Sequence, residues 1–120
     1  MTTEKVPPTL EVPLTSLAEL AVEWWRLARR LAAQRDEGQQ AHARHLARRL
    51  GRFLEERELT VHDLTGQKYA PGLAVEVLDV LADESLEEGF EVIDETVAPV
   101  VLWRGAVVRY GQVVVRRRAL

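Results

Sequence analysis

Cysteine is absent from the 120 residues, which excludes disulfide frameworks, thiol nucleophiles, zinc ribbons and thiolate-held iron–sulfur clusters. A chain without it suits a reducing cytoplasm. No apolar run approaches the roughly 18 residues of a membrane span. The opening MTTEKVPPTLEVP lacks both the basic start and the apolar core of a signal peptide. These absences predict a soluble, cytoplasmic protein with no membrane partner. Phosphate-cradling GxxxxGK(S/T), dinucleotide-type GxGxxG and the GxSxG elbow are also missing, so phosphate binding and acyl transfer lack their usual carriers. Internal repeats and low-complexity tracts are absent too.

What is present fits one small globular domain, or a small domain with a helical appendage: 47% of residues are apolar and 29% charged. The formal charge of −3 argues against a dedicated nucleic-acid binder. The charge is unevenly distributed. From His42 to Arg52 there are four arginines and no acid, whereas from Glu76 to Glu95 there are nine acids and no base.

Residues 1–15, with Pro7, Pro8 and Pro13, read as a mobile tail. Ser16 and Glu19 have capping-box spacing, which predicts a helix from about Leu17. Leu17, Leu20, Ala21, Trp24, Leu27, Ala28 and Leu31 line one helical face. The polar stretch QRDEGQQ, residues 34–40, reads as a turn. A second run with a different phase follows through Ala43, Leu46, Ala47, Leu50, Phe53 and Leu54. A helical hairpin over 16–58 explains both gap and phase change; one continuous helix is the competing reading. Residues 59–118 read as a small β-domain. Its strand-like runs are Val75–Val80, Glu91–Val97, Val100–Trp103, Ala106–Arg109 and Gln112–Val115, with Val61–Gly66 as a connector. Arg104-Gly105 and Tyr110-Gly111 have hairpin-turn spacing, and Pro99 predicts an edge or bend. The fold class expected is therefore α+β.

Two apolar helices exceed what four or five short strands can cover, so a homodimer is expected through Leu20, Trp24, Leu27, Leu31, Leu46, Leu50 and Phe53 in a four-helix bundle. Other chemistry reads as weaker. His42 and His45 have metal-like spacing but sit among arginines without further ligands. His62-Asp63 lacks a nucleophile partner. The acids from Asp79 to Glu95 lack a calcium-loop pattern and read as a solvated loop. Arg44, Arg48, Arg49 and Arg52 form a basic stripe suited to salt bridges more than to phosphate tracking. Arg116, Arg117 and Arg118 form a short basic tail. These residues point to a non-enzymatic interaction module with no metal and no cofactor.

Three segments in order carry a family likeness: Phe53-Leu54-Glu55-Glu56 before Leu59-Thr60-Val61, then Gly66-Gln67-Lys68-Tyr69-Ala70-Pro71-Gly72-Leu73, then Gly105 to Val115. Over about residues 43–115 the chain resembles the GrpE-type nucleotide exchange factors. The resemblance implies a homodimeric co-chaperone whose β-domain binds the nucleotide-binding domain of a DnaK-type ATPase chaperone and releases ADP, in protein folding and the stress response. It also implies chaperone contacts at Pro71, Arg109 and Val115. Ala106 stands where the family often has a basic residue, with Arg104 two residues earlier as its substitute. The family's long N-terminal paired helix is shortened. An adaptor with the same fold and no exchange activity is the alternative.

Overall fold

The computed structural model describes residues 6–34 and 38–119. Its elements are α1 (Leu14–Ala33), α2 (Ala41–Glu56), β1 (Leu59–His62), β2 (Val75–Ala82), β3 (Glu91–Ala98), β4 (Val100–Trp103), β5 (Ala106–Arg109) and β6 (Gly111–Arg117). The fold is mixed α+β, with two sheets of three strands in the orders β1-β4-β5 and β2-β6-β3. No described helix is long and apolar enough to cross a membrane.

The first helix starts three residues before the capping-box expectation. Pro13, with φ −57°, occupies the N-cap, and its carbonyl accepts the amides of Ser16 at 3.0 Å and Leu17 at 3.4 Å. Among the described residues, no side chain caps the helix. Leu14 packs on the core, and this contact extends the helix backward. Of the polar stretch, residues 35–37 lie outside the described ones. Gln34 is extended, and residues 38–40 form a turn before α2.

One core joins α1 to the first sheet. Ala18, Ala21 and Val22 are buried with Leu54 of α2, Leu59 of β1, Ala98 at the end of β3 and Val101 of β4. The small alanines let the helix sit close to the strands. Each fully buried valine or leucine contributes about 1.5–3 kcal/mol. Arg29 Nη1 donates to the Thr96 carbonyl at 2.9 Å, and Arg26 donates to that of Val97 at 3.4 Å, tying α1 to β3. The helices thus share their hydrophobic core with the strands. Trp24 completes the helix pair: its Nε1 donates to the Ala47 carbonyl at 2.8 Å, and its ring lies against Gly51.

The second sheet holds a separate core of Ile93, Val113 and Val115, flanked by Leu64, Tyr69, Leu73, Val75 and Val77. Central β6 runs parallel to β2 and antiparallel to β3. Between β4 and β5, Arg104 (φ 50°) and Gly105 (φ 80°) form a two-residue turn with both residues left-handed, matching the right-handed strand twist. Tyr110-Gly111, by contrast, is not a hairpin: β5 and β6 belong to different sheets. Gly111 fits a close approach: a Cβ there would stand 3.0 Å from the Ala98 carbonyl and 3.1 Å from Val100, so these neighbours would have to give by a few tenths of an ångström. The chain passes between sheets at buried Pro99 and returns at Gly111, and the two crossings abut. The first two residues of the segment expected as a connector, Val61 and His62, belong instead to β1, whose four residues pair antiparallel with β4.

Candidate functional site

Three surfaces collect the residues singled out above. The first belongs to the helices. Leu20 and Leu27, seven residues apart, lie about half a turn round α1 from the sheet-facing Ala18 and Val22. They are 37% and 40% exposed. On α2, Leu46 and Phe53 repeat that spacing at 48% and 38% exposure, with half-buried Leu50 between them. Trp24 and Leu31 differ: Trp24 is half-buried against α2, and Leu31 is buried within the chain.

The second surface is the β4–β5 turn. Arg104 Nε donates to Glu58 Oε2 at 2.6 Å, its amide donates to the Glu58 carbonyl at 3.1 Å, and its guanidinium lies 4.4 Å from the centroid of the Trp103 ring. Glu58 is itself left-handed, with φ 65°. Two non-glycine residues therefore hold an uncommon backbone conformation face to face, at a cost of about 1–2 kcal/mol each. Both side chains remain largely exposed.

The third surface lies where β2 and β6 begin. Pairing of Val75 with Gly111 brings the Pro71 loop and the Arg109–Tyr110 segment to the same end of the second sheet. Pro71 is exposed, Arg109 half-buried, and Tyr110 62% exposed. Val115 is a correction to the expected contact set. It is 1% exposed and forms the core beneath this sheet, so its side chain does not reach a partner.

The remaining candidates resolve into structural roles. His42 and His45 are exposed. Among the described residues, no group of three or more His, Asp or Glu side chains is arranged to hold a metal. Asp63 turns to threonines rather than to His62: its Oδ1 accepts from the Thr65 amide at 3.0 Å and the Thr65 hydroxyl at 2.7 Å. Thr65 is hydrogen-bonded in turn to the buried Thr96 hydroxyl at 3.0 Å. Burial pushes the Asp63 carboxyl up. The amide and hydroxyl of Thr65, the Thr96 hydroxyl and the Arg29 charge outweigh that, and hold it below its ordinary value. Within the acidic stretch, Arg116 bridges Asp83 and Asp94. The Ser85 hydroxyl and amide, then Arg116, hold the Asp83 carboxyl low. The basic tail thus pairs with part of the acidic stretch, Arg116 with Asp83 and Asp94 and Arg118 with Glu84 at 3.7 Å. Sequence reasoning missed Arg26 and Arg29 as ties to β3, because the groups they reach there are backbone carbonyls some seventy positions away, which carry no side-chain signal. No protein-family model matches the chain, and no curated protein matches it either.

Proposed function

We propose that this protein is a homodimeric exchange factor that binds the nucleotide-binding domain of a DnaK-type chaperone and promotes ADP release. The observation that carries the reading is Arg104. A two-residue turn with both residues left-handed favours Asn-Gly, yet it carries an arginine that the backbone disfavours. A residue held against its local preference at an exposed tip suits contact with a partner. Arg104 immediately precedes the Gly105–Val115 segment that carries the resemblance and stands two residues before Ala106, where the family often has a basic residue. Pro71 and Arg109, from the other matched segment and from the far end of β5, add a second contact region.

The mechanism is linkage. A protein that binds the open, ADP-free chaperone more tightly than the closed one must weaken ADP by the same factor. A thousandfold weakening requires roughly 4 kcal/mol of differential binding. Dimerisation through Leu20, Leu27, Leu46, Leu50 and Phe53 would cover the exposed helical face and hold two such tips on one frame.

Stopped-flow release of labelled ADP from DnaK-type chaperones of the same cell tests the reading. Release should accelerate when the protein is added. Arg104→Asn, which suits the turn, and Arg109→Ala should each reduce the acceleration at least fivefold without lowering Tm. Chaperone binding without acceleration would instead assign the adaptor role, and no binding at all would sink the proposal.

A further inference from the structure

Between α2 and the free edge of β1 lies a cleft of about 470 Å³, within the roughly 300–1,000 Å³ usual for ligand sites. Trp24 and Leu54 supply apolar lining, Arg48 and Arg52 line it from α2, and Leu59 to Val61 form the strand side. β1 is an outer strand of the first sheet. Because the Arg104 amide bonds the Glu58 carbonyl, the antiparallel ladder alternates from there. Thr60 and His62 turn their backbone groups to β4, and Leu59 and Val61 turn theirs outward. No turn, loop or side-chain hydrogen bond among the described residues takes those two amides. Leu59 is nevertheless only 4% exposed. Buried backbone donors and acceptors ordinarily have partners.

The charges around this edge are also unbalanced. Neither Arg48 nor Arg52 has an ion pair among the described residues. The acid lining the cleft is Glu55, one carboxylate against two guanidinium groups. A simple anion would satisfy the arginines but not the outward carbonyls of Leu59 and Val61, which need donors. A ligand that meets all of these groups presents donors and acceptors at strand spacing, a carboxylate and an apolar neighbour. We propose that β1 takes an extended, acidic peptide segment of a partner protein as a fourth strand, with Arg48 and Arg52 holding its carboxylate and Trp24 and Leu54 its apolar side chain. Four residues of β1, at about 3.3 Å each, match a peptide core of four or five residues. The chaperone-exchange reading is not needed for this site.

Fluorescence anisotropy with the full chain and a fluorescein-labelled Val-Glu-Val-Glu-Val peptide tests it. The peptide should bind saturably. The exposed double variant Arg48→Ala/Arg52→Ala, with unchanged circular dichroism, should weaken binding at least tenfold, as should a Val-Lys-Val-Lys-Val peptide. N-methylation of one alternate set of peptide amides should abolish binding, while the other set leaves it intact. Exchange of the Leu59 and Val61 amide protons should slow in the complex. Failure to saturate by about 1 mM, equal effects of the two methylation sets, equal binding of the lysine peptide, or displacement by equimolar inorganic phosphate would each overturn the proposal.

Discussion

Gly51 sits inside α2, where glycine costs about 1 kcal/mol relative to alanine. Its role is steric: a Cβ at this position would stand 2.8 Å from Trp24 Cζ2. The indole cannot retreat freely, because its Nε1 is bonded to the Ala47 carbonyl. Gly51→Ala should therefore lose more by displacing the ring than it gains in helix propensity, for a net destabilisation of about 1–3 kcal/mol in urea unfolding. A stabilised variant would show that the ring moves at little cost. Asp63 makes a different residue-scale prediction. Its carboxyl is held below the ordinary value of 3.8, so the folded state binds its proton less readily than the unfolded chain. Its contribution is fully present above that ordinary value and drains as pH falls through the lower folded one. Asp63→Asn should flatten the acid limb of stability against pH, and Thr65→Val, which removes the hydroxyl donor, should shift that limb upward in pH.

At the scale of elements, legibility in the sequence follows how local each cause is. The β-branched runs of β2 to β6 and the polar break between the helices were readable because their signals lie within a few consecutive residues. So was the Arg104-Gly105 turn, since a two-residue loop between apolar runs has few backbone solutions. Tyr110-Gly111 has the same pattern and a different cause: its glycine makes room for the Ala98 carbonyl across a sheet-to-sheet crossing. β1 was hidden because four residues between a helix and a turn are too few for alternation to show, and β4 supplies the pairing. Ser16 and Glu19 matched a cap that tertiary packing of Leu14 overrode. The candidate surfaces divide along the same line. Arg48 and Arg52 were visible as part of a basic stripe, but the cleft they line exists only because α2 lies beside the edge of a strand not apparent from sequence.

For the whole molecule, the packing of α1 decides what a second copy would accomplish. Helices that merely hung from the β-region could dimerise without orienting it. Here α1 shares the core of the first sheet and is tied to β3 by Arg26 and Arg29. Joining two copies through their outer helical faces would therefore fix both Arg104 turns in relative position. Leu20, Leu27, Leu46 and Phe53 are each more than a third exposed, so charging them leaves the chain's own core intact. Sedimentation should find a dimer, and Leu27→Glu with Phe53→Glu should weaken it by about 3 kcal/mol, roughly a hundredfold in Kd. Circular dichroism and the single-chain core should be unchanged. Loss of fold in that variant would place the two side chains inside the chain's own stability. A wild-type monomer at micromolar concentration would remove the shared frame, leaving each Arg104 turn to act alone.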